Sequence, residues 1–484
     1  MSIGSTLTNA LSGLTAQAKA AELVSSNIAN VSTPGYARRE LILAARTTYT
    51  PGQGVQIMGV QRNANMPLIG DRRLAESAAA DAGARAAFYK RAENIIGTPD
   101  DTSSISGRVA ALDSALLEAS SHPEAETRLA NVLSAAQSLA TQLGVASKDV
   151  QAARNAANTQ IAGQVTTLNA SLARVAKLNS LIHNGIAVQQ DVSSLQDQRQ
   201  ATIDEISRIV PVREVQQPEG GVYLYTESGA SLLDVGPTVF GYTPTNVVTY
   251  ETTNGGGLSG LTLNGKPTKT AGDGSYIAGG TLGASFAIRD QLGVQAQSQL
   301  DAVARDLVER FSDPALDTTR AAGAAGLFTD SGAAFDPANE LGLSQRLQIN
   351  AAVDPEAGGS LSRLRDGLGS ATVGPVGNAA LLKDFRTALT APREPVSGGF
   401  MAGLRSFATL SGDLLSAVAT SRLQAESNAT YASARLQTFT VMEAENGVDT
   451  DAEMQSLLQI EQAYAANTKV ISAVQDMMQA VLDI

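Results

Sequence analysis

The sequence predicts a mainly α-helical protein with an inserted β domain, and three observations support this fold class. Apolar residues recur at steps of three and four over long stretches, and both ends of the chain carry heptad patterns. Alanine, with 78 residues in the chain, almost disappears between positions 202 and 270, where only Ala230 remains. We expect a terminal antiparallel α-helical coiled coil, a long helical-bundle middle domain and a small β-rich outer domain.

The first predicted element is an N-terminal helix that pairs with a helix at the other end of the chain. Each helix carries a seam of residues spaced alternately by four and three. The N-terminal seam consists of Ile3, Leu7, Ala10, Leu14, Gln17, Ala21, Val24 and Ile28, and the C-terminal seam consists of Leu457, Ile460, Tyr464, Asn467, Ile471, Val474, Met478 and Val481. Laid antiparallel, the seams set Gln17 against Asn467 and Ala21 against Tyr464. A one-step slip would bury either amide without a partner, at a cost of about 1–3 kcal/mol.

Local signals place the ends of these two helices. Pro34-Gly35 ends the first, because proline disfavours a helical residue before it, and Thr450-Asp451-Ala452-Glu453 fits a capping box that begins the second. The first 37 residues contain two charged side chains, Lys19 and Glu22, which is typical of a helix packed inside an assembly. We therefore expect the two ends to order fully only against other copies or partners. An alternative seam stays open through Leu11, Leu23, Met454 and Leu458.

Helical periodicity continues through the middle of the chain and is interrupted by the β insert. Two buried stripes are predicted, formed by Leu129, Val132, Ala136, Leu139 and Leu143 and by Ile161, Val165, Leu168, Leu172, Val175, Asn179 and Ile182. Helices are also predicted over 292–311 and 403–445, whereas glycine and proline break 312–399 and leave its fold unpredicted. Strand-like runs in the insert occupy residues 210–215, 222–226, 247–250 and 261–263.

These elements divide the chain into three predicted domains. The terminal coiled-coil domain takes residues 1–36 and 447–484, and the helical middle domain takes residues 37–205 and 284–446. The β-rich outer domain takes residues 206–283 and is inserted into the middle domain.

The composition argues against several classes of function. The chain has no cysteine and two histidines, His122 and His183, so we predict no catalytic, metal or cofactor site. A net charge of −12 argues against a nucleic-acid partner. No stretch of 18 apolar residues occurs, so we predict no membrane partner. The first residues lack the basic start and unbroken apolar run of a cleaved signal peptide.

Two local patterns imitate ligand-binding motifs. Residues 260–267 have the spacing of a phosphate-binding loop, but Pro267 replaces the Ser or Thr that holds magnesium. A β-hairpin turning at Asn264-Gly265 explains this segment better. Asp449, Asp451 and Glu453 suggest calcium, yet the glycine and later glutamate of an EF-hand loop are missing, so helix-capping acids are the better interpretation.

Motifs at both ends resemble those of flagellar rod, hook and hook-associated proteins. The N-terminal motif, here called the axial motif, consists of Asn27, Ile28, Ala29, Asn30, Thr33, Pro34, Gly35 and Tyr36. Its C-terminal counterpart comprises residues 446–454 and 462–471. Within this group, Gly447-Val448 with Glu453-Met454 is most similar to the hook-associated protein 1 family, as are residues 195–200, 280–283 and 289–292. The chain departs from that family at Gln200, where an acidic residue is expected, and in its short outer domain.

The resemblance implies a non-catalytic subunit that is exported through the flagellar channel without cleavage and assembles as a ring joining hook to filament. The implied partners are other copies of the chain, the hook subunit, the second junction protein and, before export, a chaperone on the C-terminal helix. The implied location is extracellular, at the hook–filament junction. Two alternatives stay open: a hook or distal-rod axial subunit, and a secreted adhesin or hydrolase carried on flagellar-type ends. The last would need a cleft with convergent acids in residues 206–392, and the sequence predicts none.

Overall fold

The computed structural model describes residues 3–33, 35–46, 54–254, 256–272 and 274–483, and it confirms the predicted fold class. The helices are α1 (Ile3–Ala29), α2 (Met66–Ile96), α3 (Ile105–Ser121), α4 (Glu126–Ala187), α5 (Ser193–Ile209), α6 (Gly280–Ala287), α7 (Gly293–Ser312), α8 (Leu343–Arg346), α9 (Arg363–Asp366), α10 (Ala380–Thr390), α11 (Phe407–Glu445) and α12 (Thr450–Leu482). The strands are β1 (Arg38–Ala45), β2 (Val55–Asn63), β3 (Val212–Gln216), β4 (Val222–Thr226), β5 (Ser231–Leu233), β6 (Phe240–Gly241), β7 (Thr253–Asn254), β8 (Gly257–Leu258), β9 (Leu261–Leu263), β10 (Lys266–Thr268), β11 (Phe328–Asp330) and β12 (Leu347–Ile349).

Helix α4 is unbroken over 62 residues and contributes to two separate hydrophobic cores. Its first half packs with α3, α7 and α10 in a core that includes Leu139, Phe311 and Phe385. Its second half packs with α5, α6 and the strands of the insert in a core that includes Leu172 and Leu224. Both predicted stripes therefore lie on one continuous helix, and nearly all of their residues are buried.

The insert between α5 and α6 contains two antiparallel three-stranded sheets, in the orders β3-β4-β5 and β10-β9-β6. The β9–β10 hairpin turns at Asn264 (φ +48°) and Gly265 (φ +78°), which confirms the hairpin in place of a phosphate-binding loop. The predicted strand over 247–250 is wrong. Asn155 of α4 donates to the carbonyl of Val248 at 2.7 Å and accepts from its N–H at 2.8 Å, so a side chain takes the bonds that a neighbouring strand would supply.

A β-hairpin follows α1, in a region that the sequence assigned to the helical middle domain. Strands β1 and β2 pair antiparallel, with a bulge between Ile42 and Leu43. The hairpin packs against α1, where the Ser12 hydroxyl accepts the N–H of Val55 at 3.1 Å. The 312–399 region forms short elements around one side of the first core, among them β11 paired with β12 and helix α10.

The glycines of residues 280–283 allow α6 to approach its neighbours closely. A π turn over Ile288–Leu292 then joins α6 to α7. A Cβ on Gly280 (φ +69°) would lie 2.3 Å from the carbonyl oxygen of Ile209 at the end of α5. A Cβ on Gly283 would lie 2.5 Å from the carbonyl oxygen of Ile277. Both obstacles are backbone atoms, which cannot turn aside as a side chain can.

We expect Gly283→Ala and Gly412→Ala to change stability in opposite directions, although both glycines lie within helices. Alanine favours a helix over glycine by about 1 kcal/mol, and a Cβ on Gly412 in α11 meets open space. Gly412→Ala should therefore stabilise by up to about 1 kcal/mol, while Gly283→Ala should destabilise by about 1–3 kcal/mol through overpacking. Urea midpoints of the two variants test this, and equal shifts would refute the steric argument.

Candidate functional site

Helices α1 and α12 lie antiparallel along one another and bring the two ends of the chain together. The α12 N-cap is Asp449, whose Oδ1 accepts the N–H groups of Asp451 (2.9 Å) and Ala452 (3.2 Å). The predicted capping box is therefore wrong, because Thr450 is already the first helical residue. Glu453 is free for another role.

Glu453 forms a buried polar cluster with residues from the other end of the chain. Its carboxylate is 1% exposed. One oxygen accepts from Arg38 Nε at 2.5 Å, and the other accepts from Asn27 Nδ2 at 3.1 Å. Although partial burial opposes the charge on Arg38, its hydrogen bond and attraction to Glu453 raise the pKa of this guanidinium. The cluster fixes the start of α12 against the end of α1 and the start of β1.

The axial motif builds the turn that leads from α1 into this cluster. The Oδ1 of Asn27, which is 1% exposed, accepts from the Tyr36 hydroxyl at 2.8 Å and from the Arg39 N–H at 3.0 Å. Asn30 and Thr33 hydrogen-bond within the turn. Gly35 has φ +79°, a conformation that favours glycine. Of the remaining motif residues, Ile28 is half-buried, Ala29 is exposed and Pro34 lies outside the described residues.

The pairing of α1 with α12 differs from the predicted register by about one helical turn. Asn467 Nδ2 lies 2.9 Å from the position of a Cβ on Gly13, one turn before Gln17. Gly13 has no side chain, so the Asn467 amide fits into the space above its backbone. The Asn27–Glu453 contact fixes the same register at the other end of the pair.

Most, though not all, of the predicted seam residues are buried or half-buried. Val24 and Val474 are buried, as is Ala10. Half-buried seam residues are Leu7, Leu14, Gln17, Ala21, Ile28, Leu457, Ile460, Asn467 and Ile471. Tyr464 is 47% exposed, contrary to its expected place in the seam, and Ala463 is half-buried in its stead because the register has shifted. Ile3, Met478 and Val481 also lie exposed towards the far end of the pair.

Several large apolar side chains of the helix pair are open to solvent, and they are here called its outer face. Leu11 and Leu458, which belong to the alternative seam, are 58% and 54% exposed, and Met454 and Met477 are each 50% exposed. Leu23, also in the alternative seam, is buried. Complete burial of a large apolar side chain contributes about 1.5–3 kcal/mol, so each of these half-exposed side chains leaves part of that free energy unrealised. A concentration of such residues on one helix pair is typical of a surface that contacts other chains.

A second ionic cluster attaches the β1–β2 hairpin to α5. The Asp197 carboxylate accepts from Arg39 Nη2 at 2.6 Å and from Arg62 Nε at 2.7 Å, and its side chain is 14% exposed. Arg62 also donates to the carbonyl of Gly35 at 3.3 Å. The turn of the axial motif, both strands and α5 are thus held by a single carboxylate.

The described residues contain no grouping of three or more histidine, aspartate or glutamate side chains arranged to hold a metal ion. Nor does any helix within the described ranges combine the length and hydropathy needed to cross a bilayer.

Family models of flagellar axial proteins match three parts of the chain. The model for the helical domain of flagellar hook-associated protein FlgK matches residues 89–327. The flagella basal body rod protein model matches residues 7–36, and the model for the C-terminal part of flagellar basal body rod FlgEFG proteins matches residues 443–484. The helical domain at residues 89–327 belongs to the FlgK family. The matched ends of the chain contain α1 and α12, and the helical-domain match contains all of α4 and the insert.

Curated proteins similar to this chain are named flagellar hook-associated protein 1. The Salmonella typhimurium relative is 28% identical over 243 residues, which is 49% of this chain and 43% of the relative. The Escherichia coli relative is 27% identical over 243 residues, 49% of this chain and 44% of the relative. The aligned part spans less than half the length of these relatives. The flagellar hook junction protein FlgK from Burkholderia pseudomallei aligns with a TM-score of 0.44 and 20% identity over 54% of this chain and 47% of that chain.

Sequence reasoning missed the roles of Arg38, Glu453 and Asp197. Their partners are distant in sequence: Glu453 lies 415 residues from Arg38, and Asp197 lies 158 residues from Arg39. The available signal was the abrupt appearance of Arg38-Arg39 after 37 residues with two charges. Two arginines at this position need carboxylates as partners. Glu453 of the C-terminal motif and Asp197 of residues 195–200 supply them.

Proposed function

We propose that this chain is a non-catalytic structural subunit of the bacterial flagellum that joins hook to filament, and that it assembles as a ring through its paired terminal helices. The observation that carries the proposal is the helix pair itself. It is fixed at one end by the cluster around the buried Glu453 carboxylate, yet it exposes several large apolar side chains that another subunit would cover. The names of the curated relatives support the placement at the hook.

The partners follow from this placement. We propose contacts with neighbouring copies, with the hook subunit on one side and with the second junction protein on the other. A cytoplasmic chaperone would cover the exposed apolar residues of α12 before export. The chain would leave the cell without cleavage of a signal peptide and take up an extracellular position at the junction.

Each part of the chain has a distinct role in this proposal. Residues 1–36 and 447–484 form the assembling domain, residues 37–205 and 284–446 form the middle domain, and residues 206–283 form the outer domain. The axial motif would set the angle between the terminal pair and the middle domain, because Asn27 links α1, β1 and α12. The seam residues would hold the pair together while its outer face meets neighbours.

Deletion of the gene in its own bacterium tests the proposal. We expect hooks without filaments, flagellin in the culture medium and recovery of swimming when the wild-type gene is restored. Electron microscopy of isolated hook–basal bodies and an immunoblot of the medium give the readouts. Loss of the hooks themselves would favour a hook or rod subunit, and intact filaments would favour an adhesin or hydrolase; either result would overturn the junction role.

A further inference from the structure

A cavity of about 190 Å³ lies where the hairpin, α5 and the insert meet. Its polar lining comes from Arg62 of β2, from α5 and from β3. The α5 residues are Gln196, Arg199 and Gln200, and the β3 residues are Glu214 and Gln216. The lining thus combines two guanidinium groups and three amides with one carboxylate. A pocket so rich in hydrogen-bond donors is suited to an anion.

Arg199 reaches this cavity with unused donors. The residue is 6% exposed. Its Nη1 donates to Asn179 Oδ1 at 2.9 Å and to the carbonyl of Gly220 at 2.6 Å. Among the described residues no carboxylate lies within ion-pair distance of Arg199, and its Nε and Nη2 make no hydrogen bond. Buried cations in proteins are normally paired with an anion. Arg199 has no such ion-pair partner among the described residues.

The nearby carboxylates are already engaged by other arginines. Asp197 holds Arg62 and Arg39. Glu214 accepts from Arg73 at 2.5 Å through one oxygen and from the amide of Gln216 through the other. Burial lowers the pKa of Arg199; attraction to Glu214 opposes this effect, and repulsion from Arg62 and Arg73 adds to it. The arginines around the cavity therefore outnumber the carboxylates that could pair with them.

We propose that this cavity binds a small oxyanion, held between the guanidinium groups of Arg199 and Arg62. A tetrahedral or carboxylate oxyanion accepts several N–H donors at once, and guanidinium groups bind such anions through paired donors. The bound ion would connect β2 to α5 and strengthen the attachment of the hairpin. The inference rests on the cavity and is independent of the flagellar role.

The oxyanion in the cavity could be a free ion or the carboxylate of an acidic side chain from a second copy of the chain. We assign the free anion, because Arg199 is buried within one chain and the cavity is small. Titration of protein shown to be monomeric by light scattering separates the two sources. A second copy cannot supply a carboxylate under those conditions.

Isothermal titration calorimetry with orthophosphate, in a chloride buffer of constant ionic strength, tests the site. We expect one phosphate ion to bind per chain. The midpoint temperature of thermal unfolding should rise by about 2 °C as phosphate is added and then stay constant once the site is filled. Gln200→Glu places a carboxylate beside Arg62, whose Nη2 already contacts the Gln200 amide oxygen. This variant should lower the affinity at least tenfold without loss of stability. Arg199→Gln should lower it similarly, provided that its circular dichroism matches the wild type.

The matched control is Gln198→Glu, which adds the same charge on the same helix at an exposed position that does not line this cavity. It should retain anion binding. Equal responses of wild type, Gln198→Glu and Gln200→Glu would indicate a general salt effect and overturn the proposal. A monomer that binds no phosphate would overturn it as well. If Arg199→Gln fails to fold, the comparison of the two glutamate variants still decides.

Discussion

Arg38→Met should destabilise the terminal helix pair by about 3–5 kcal/mol, because it leaves the buried carboxylate of Glu453 without its cation. The remaining Glu453 carboxylate is 1% exposed and would keep a single hydrogen bond, from Asn27. Glu453→Gln should cost less, about 1–3 kcal/mol. The Arg38 side chain is 30% exposed and can be rehydrated, and a glutamine still offers a partner to Asn27. The larger effect thus comes from the more exposed residue of the pair.

Amide hydrogen exchange in the first turns of α12 measures this prediction, because it reports local opening. The double variant Arg38→Met/Glu453→Gln should recover part of the loss from Arg38→Met, since it neutralises the buried charge. The matched control is Glu40→Gln, which removes the exposed partner of the same arginine and should change little. If Arg38→Met and Glu40→Gln had equal effects, Glu453 would not be the residue that fixes this end of the pair.

Leu458→Asp should abolish assembly while leaving the isolated chain folded. Leu458 is 54% exposed, so the substitution should change the stability of the monomer by no more than about 0.5 kcal/mol. In an assembly that covers this face, an aspartate would be buried without a partner in every subunit. Cells that carry only this variant should have hooks without filaments and should not swim.

The conservative variant Leu458→Met is the control, because it keeps an apolar side chain of similar volume. It should support normal swimming, and both variants should be exported in equal amounts. A Leu458→Asp strain that swims as the wild type would show that this face of α12 stays in water. The exposed apolar surface would then need another explanation.

The helical part of the fold was predictable because burial at a regular period leaves a local pattern. The residues from Ile161 to Ile182 follow steps of three and four, and α4 buries nearly all of them. The β9–β10 hairpin was predictable for the same reason, since Asn264-Gly265 specifies its turn by local backbone preference.

The parts of the structure that differ from the predictions depend on contacts between residues that are far apart in the sequence. Residues 247–250 have the composition of a strand, but Asn155, 93 residues before Val248, takes their backbone bonds. The register of the terminal pair depends on Gly13, which leaves space for the side chain of Asn467. A heptad analysis ignores this position because glycine has no side chain. Glu453 fits the local pattern of a capping box, whereas its partner Asn27 lies 426 residues away.

Helix α4 has a mechanical consequence. At 1.5 Å per residue its 62 residues extend for about 93 Å, and along this length they belong first to one core and then to the other. Because no loop interrupts α4, one continuous ladder of backbone hydrogen bonds connects the core around the insert to the other core. The two cores should consequently move as one rigid unit when a force acts on the insert.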